Sequence, residues 1–282
     1  MRPLRCAVFV LIGLVVAGLT MAAPSAPTEV RIVTEGNFLP WNYTEPNGRL
    51  GGFEISLAND LCRRMRVKCT ISAQSFNSMI PALQAGKFDA IMDEMIITPE
   101  REKVIAFSVP YASTCYTFAA LRDSRIARTV AASERVVSLN DVPASAGAVA
   151  PLRTALKGAT IGTLAAGTSV GFIDTYLGDV VSVRQYNSPE ARDLDLVAGR
   201  VDAVLAAKDS LTSPATKWRR ERMTPVGPCF QGGVVGNGPG VGLRKQDTAL
   251  KGMFDKAIEE AKKDGTIRRL SVPVFGMDMT PQ

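Results

Sequence analysis

The chain has no histidine in its 282 residues. That absence excludes Ser-His-Asp and Cys-His nucleophilic systems and every histidine-ligated metal centre. Aromatic residues make up 6% and charged residues 21% against 46% hydrophobic, a globular composition and neither a disordered nor a collagen-like one. Long apolar runs are equally scarce. One stretch stands out, Cys6–Leu19, and its length and glycines at 13 and 18 fall short of the roughly 20 apolar residues a membrane span needs. Arg2 and Arg5 precede it and Thr20-Met21-Ala22-Ala23 follows, so residues 1–23 read as a signal peptide cut near Ala22 or Ala23 rather than as an uncleaved anchor. The mature protein is expected to be exported and soluble. Cys6 lies before the apolar run, not at the cleavage point, which argues against a lipid anchor. Loss of Arg2 and Arg5 takes the net charge of +6 to +4, spread along the chain. A nucleic-acid partner, which needs basic residues gathered on one face, is not expected.

Four cysteines remain after export. Cys62 and Cys69 fall at the junction of a helix and the next strand. In an oxidising compartment a bridge there is the leading reading, worth about 2–3 kcal/mol, with buried free thiols as the alternative. Cys115 and Cys229 lie far apart in sequence, and spacing alone does not pair them.

An internal echo shows the organisation. Leu83-Gln84-Ala85-Gly86-Lys87-Phe88-Asp89-Ala90-Ile91-Met92 returns as Leu196-Val197-Ala198-Gly199-Arg200-Val201-Asp202-Ala203-Val204-Leu205. Each copy reads as a helix end, a glycine past the cap, a basic residue and a short buried strand. Polar helix starts precede both, Asn77-Ser78 and Ser188-Pro189-Glu190. Val30–Thr34, Cys69–Ala73, Thr160–Leu164 and Val181–Tyr186 read as further strands. Phe53, Leu57, Leu61 and Met65 form a helical stripe, and Gly167-Thr168-Ser169 opens a helix ending near Leu177. A last helix with Leu250, Phe254 and Ile258 stops near Gly265. Residues 123–157, rich in Ala, Ser and Val with weak periodicity, read as an insertion. Alternating strands and helices predict an α/β fold of two like units, with ligands beyond the carboxyl ends of the strands.

Those ends carry the candidate site. Thr98-Pro99-Glu100-Arg101 sets Thr at the N-cap and Arg101 in the first turn of a short helix, a combination suited to a carboxylate. A structural ion pair with Glu102 is the plainer alternative. Gly167, Thr168 and Ser169 open a second helix toward the same place. Glu35, Asp93 and Glu94, followed by Met95 and Ile96, are acids and neighbours at strand ends. Three carboxylates around one cleft favour a cationic ligand group. Phe38, Trp41 and Phe76 would supply apolar or cation–π walls, core packing being as good an account of Trp41.

Glu35–Trp41, Gly52-Phe53-Glu54-Ile55-Ser56-Leu57-Ala58, Phe88-Asp89-Ala90-Ile91-Met92, Thr98-Pro99-Glu100-Arg101 and Gly240-Val241-Gly242-Leu243-Arg244-Lys245 together resemble the family 3 solute-binding proteins, periplasmic receptors of polar amino-acid ABC importers. The similarity runs from about Val30 to the C-terminus and is greatest to the opine (octopine and nopaline) and lysine/arginine/ornithine receptor branch. The resemblance implies a two-lobed Venus-flytrap periplasmic-binding-protein fold, each lobe a mostly parallel sheet flanked by helices, joined by two hinge crossings. Lobe one would comprise residues 28–115 and 229–282, and lobe two residues 116–228. It further implies that Arg101 grips a ligand carboxylate with Thr168 and Ser169, that Phe76 stacks on the side chain, and that Glu35 reads a distal cation. Cys62 and Cys69 match a disulfide of the lysine/arginine/ornithine and histidine receptors, and Cys115 and Cys229 would fall near the hinge-crossing strands. Two departures stand out. Asp93, Glu94 and Ile96 replace serines after the third strand. Ala207 stands where amino-acid receptors hold the α-ammonium with an aspartate, and Asp209 follows two positions later.

The expected function is therefore periplasmic binding, without catalysis, metal or cofactor, of an amino acid or amino-acid derivative, basic or opine-like. The expected protein partner is an inner-membrane ABC permease, and the receptor is expected to be a monomer. Two other readings are a cyclohexadienyl dehydratase-like enzyme, with Glu94 as acid or base, and a sensory partner of a membrane receptor.

Overall fold

The computed structural model describes residues 27–281; the expected signal peptide lies outside them. Val30 and Ile32 face one side of the strand Glu29–Thr34 and Val33 the other, so both faces of the sheet around it must be covered. On one face the strand packs against Phe53, Leu57 and Leu61 of the helix Phe53–Met65 and Phe254 and Ile258 of the helix Thr248–Lys263. On the other it packs against Met79 and Leu83 of the helix Phe76–Gln84. The sheet order is Lys68–Ala73, Glu29–Thr34, Ala90–Ile91, Gly242–Leu243, Ala106–Phe107. The first three strands run parallel, while Gly242–Leu243 pairs antiparallel to both neighbours.

A second sheet has the order Ser182–Tyr186, Thr160–Leu164, Ala203–Ala207, Tyr116–Leu121, Met223–Gln231, Ala132–Ser138. Its first three strands are again parallel, joined by the helices Thr168–Tyr176 and Pro189–Val197. The echo in the sequence is thus structural. Ala90 pairs with Ile32, and Ala203 with Ile161. Gly86 (φ 73°) and Gly199 (φ 70°) end the preceding helices in the left-handed region that suits glycine. Each sheet is mixed rather than uniformly parallel. Antiparallel pairs enter where strands arrive from the other half of the molecule without a crossover helix, as Tyr116–Leu121 does between Ala203–Ala207 and Met223–Gln231.

The chain passes from the first sheet to the second between Phe107 and Tyr116 and returns between Gln231 and Gly242. Phe230 still pairs with Tyr116, and Gln231 with Ser138, so the second sheet keeps the chain three residues past the expected return after 228. Residues 123–157 form a short helix, Arg125–Thr129, the edge strand Ala132–Ser138 and the helix Val142–Ala155. That helix buries only Ser145, Val149, Leu152 and Ala155, which accounts for the weak periodicity. The C-terminal helix Thr266–Phe275, just past Gly265, was not anticipated; it contributes Ile267 and Phe275 to the first core. No helix among the described residues is long and apolar enough to cross a membrane.

Cys62 is bridged to Cys69 and Cys115 to Cys229. The first pair ties a helix end to the following strand. The second ties the start of Tyr116–Leu121 to its partner Met223–Gln231, across a sequence separation of 114 residues. Because the stabilisation from loop closure grows with loop length, the second bridge contributes the more, about 4–5 kcal/mol against about 2–3 for the first. Cys115→Ser is therefore expected to lower the thermal midpoint more than Cys62→Ser, as read by calorimetry of the two purified variants. The reverse ranking would count against this account.

Candidate functional site

A cavity of about 510 Å³ opens between the two sheets, within the size range of a small-ligand site. It lies at the carboxyl ends of the parallel strands, because its lining includes Glu35 after Glu29–Thr34, Gln74 after Lys68–Ala73, Ala165 after Thr160–Leu164 and Asn187 after Ser182–Tyr186.

Arg101 occupies the first turn of the helix Pro99–Glu102, where Thr98 caps by accepting from the Arg101 amide (3.3 Å). Its guanidinium lies over the Phe76 ring (5.5 Å). Nη1 donates to the Ile96 carbonyl (2.8 Å) and Nη2 to the Ala166 carbonyl in the opposite half (3.1 Å). It has no ion pair with Glu102; it turns into the gap and reaches across it. Burial pulls its pKa down, opposed by Tyr116 and the nearby acids Glu94 and Asp93. Gly167, Thr168 and Ser169 face it from the start of Thr168–Tyr176, and Glu35, Phe38, Phe76, Ile96 and Ala207 also line the cavity.

Glu94 has the most exacting environment. Its backbone is left-handed (φ 43°), a conformation that costs a non-glycine residue about 1–2 kcal/mol. The Glu94 N–H donates to Glu54 Oε1 (2.6 Å), which fixes the turn. Glu94 is 6% exposed and lines the cavity, and its buried Oε1 has no hydrogen-bond partner. Burial, then Asp209, Glu54 and Asp93, push the Glu94 pKa well above the usual carboxylate range against the opposing charge of Arg192. A cationic group in the cavity would remove that penalty.

Three expected site residues stand elsewhere. Asp93 points into the frame behind the cavity: its Oδ1 accepts from Thr34 Oγ1 (3.1 Å), the Glu35 amide (2.7 Å) and Asn42 Nδ2 (2.8 Å). Asn42 also donates to Glu54 Oε2 (2.7 Å), and Tyr111 Oη donates to Glu54 Oε1. Trp41 is core, packed edge-on with Phe53 (interplanar angle 82°) and tilted against Phe275 (54°), and its Nε1 donates to Asp209 Oδ2 (2.8 Å). Met95 is fully buried beside Val33 and Met79. Asp209, bonded to Trp41 and Thr114, is not free to replace the acid missing at Ala207.

Other lining residues were not anticipated, notably Tyr116, Tyr186, Asn187, Ser210 and Arg192. Arg192 was legible only as a polar residue in the first turn after Ser188-Pro189; that it faces the gap depends on how its helix sits on the sheet. Glu35 is half-buried, and desolvation raises its pKa against hydrogen bonds from the Phe76 amide and the Asn37 side chain.

The geometry defines a ligand-binding protein of two lobes with a charged cleft between them. The sequence profile of the bacterial extracellular solute-binding proteins, family 3, matches residues 30–277, and the chain belongs to that family. It is 38% identical to the octopine-binding periplasmic protein of Rhizobium meliloti, over 95% of this chain and 96% of that protein. To the lysine/arginine/ornithine-binding periplasmic protein of Escherichia coli (strain K12) it is 32% identical, over 99% of each. The crystal structure of a periplasmic His/Glu/Gln/Arg/opine family-binding protein from Silicibacter pomeroyi in complex with lysine superposes with a TM-score of 0.69. That match has 28% identity and covers 89% of this chain and 99% of the other.

The acids give the ligand-free protein a definite pH response. Burial raises the pKa of Glu54, Asp93, Glu94 and Asp209 above their usual values. Between the unfolded and folded values the folded state holds protons that the unfolded chain releases, so stability falls as pH rises through that window. Asp89 acts oppositely, although burial alone would raise it: Arg31 and Arg244 hold it at about 2, and its contribution is lost only as pH falls below about 4. The ligand-free thermal midpoint is thus expected to be higher at pH 5 than at pH 8, and Glu94→Gln is expected to flatten that slope and raise the pH 8 value. Calorimetry across this range is the test, and a midpoint that rose toward pH 8 would contradict it.

Proposed function

We propose that the protein is a periplasmic receptor that carries a cationic amino acid, or an amino-acid derivative built on arginine, to the permease of an ABC importer. One observation carries the reading: Arg101 and the Glu94 carboxyl, whose buried Oε1 has no hydrogen-bond partner, share a cavity between the two lobes. A guanidinium in a water-poor pocket suits a carboxylate through two parallel N–H bonds. Glu94 and Glu35 supply the opposite charge for cationic groups, and Phe76 and Phe38 offer apolar surface to an alkyl stem. The names of the relatives for octopine and for lysine, arginine and ornithine support the same charge pattern.

A ligand that touches both lobes stabilises their closed arrangement by the difference in its affinity for the closed and open forms. The permease then recognises that closed form. Binding proceeds without chemistry on the ligand, and the receptor acts as a monomer. The signal peptide expected over 1–23, the two bridges and the periplasmic relatives support export.

Arg101→Ala is expected to weaken binding of L-arginine at least ~30-fold, the loss usual when one partner of a buried charge pair is truncated. The ligand-free midpoint should change by only a few degrees, since each hydrogen bond lost to Ile96 or Ala166 is worth about 1 kcal/mol. Titration calorimetry with parallel thermal melts reads both quantities. Undiminished arginine binding by the variant would overturn the assignment.

A further inference from the structure

The second lobe brings another cation to the same cavity. Arg192, on the helix Pro189–Val197, is 2% exposed and lines the cavity. Its stem lies across the sheet at Gly162, where a Cβ would come within 3.1 Å of Arg192 Cγ, so glycine at that strand position leaves the stem its room. Arg192 Nε pairs with Asp193 Oδ1 (2.8 Å), and Arg219 Nε pairs with Asp193 Oδ2 (2.7 Å). Arg219 Nη1 also donates to the Ser210 carbonyl (3.1 Å). Two buried guanidiniums therefore share one carboxylate, and Arg192 Nη2 is buried with no hydrogen-bond partner. Buried donors are seldom left empty in a folded protein. The surplus positive charge and the open donor point to an anion supplied from the cavity.

Glu94 presents the converse, a buried carboxyl oxygen without a partner in the same cavity. Arg101 supplies a second guanidinium. Ala206 and Ala207, small residues at the end of Ala203–Ala207, occupy little of the wall on the side of Arg192. Two guanidiniums, Arg101 and Arg192, and two acids, Glu94 and Glu35, match a ligand with two carboxylates flanking a cationic nitrogen and a second cationic group at its far end. A simple amino acid has one carboxylate near its nitrogen and leaves one guanidinium unmatched.

We propose that Arg192 is a second anion-binding residue of this cavity, and that the ligand class is an N-carboxyalkyl amino acid with one carboxylate on Arg101 and the other on Arg192. The proposal rests on the receptor reading above and sharpens it. Arg192 then sets specificity, and Arg101 affinity for amino-acid-like ligands in general.

Titration calorimetry of the intact protein against three probes tests it: L-arginine, Nα-ethyl-L-arginine and octopine, which is arginine with a 1-carboxyethyl group on its α-nitrogen. The charge-assisted bonds of one added carboxylate should make octopine bind about 10–100-fold more tightly than Nα-ethyl-L-arginine. Arg192→Met should cost octopine at least ~10-fold more than it costs arginine. Should that variant fail to fold, the wild-type comparison of octopine with Nα-ethyl-L-arginine decides alone, because the two differ by the carboxylate. Equal affinities for those two would overturn the proposal while arginine binding left the receptor reading in place. No binding by any of the three would overturn both.

Discussion

Charge kept out of water on both sides of one gap governs this protein. The first lobe holds Glu94 against the cavity with Glu54 and Asp93 behind it, and the second holds Arg192 and Arg219 around Asp193. Asp193 is one carboxylate between two guanidiniums, and Arg192 opposes from across the gap the burial that raises the Glu94 pKa. Burying a charge without a partner is costly, so a solute of complementary charge lowers that cost when it binds. Arg101 already reaches the Ala166 carbonyl across the gap, a polar contact that a ligand carboxylate would extend or replace. Selectivity in such a cleft follows from mismatch, because a solute of the wrong charge pattern leaves one of these groups stranded.

The frame that holds the charges is largely apolar and largely conventional. Each lobe covers both faces of its sheet, so the strand ends are the places where polar groups can converge without breaching a core. Between the lobes the Trp41 indole donates to Asp209, and Ser213 Oγ donates to the Val274 carbonyl (2.7 Å). These contacts lie outside the cavity lining and brace the lobes beside the gap.

Much of this was legible in the sequence because it rests on local rules. The stripe Phe53, Leu57, Leu61 falls on one buried helix face. The Thr98-Pro99 start fixes Arg101 in a first turn, and the repeated Gly-basic-x-Asp-Ala segment marks the same helix-to-strand junction twice. What sequence could not supply was direction. Asp93 and Glu94 are neighbours, yet the left-handed turn at Glu94 sends one carboxyl into the frame and the other into the cavity. Trp41 reads from sequence equally as a binding aromatic or as core, and it is core because Phe53 and Phe275, far apart in the chain, close over it. Arg192 drew no notice in the sequence, because its pair with Asp193 becomes a surplus of positive charge only when Arg219, 26 positions after Asp193, folds against the same carboxylate.

The bridge between Cys115 and Cys229 has a topological effect beyond its energy. The whole chain from one cysteine to the other becomes a covalently closed ring, with the two passages between the sheets leaving it beside the bridge. A protease that nicks a loop anywhere on that ring releases no fragment, and the severed ends stay tethered beside strands that can hold them in place. One crosslink beside the gap thus preserves the covalent continuity of the entire second lobe after a single cut.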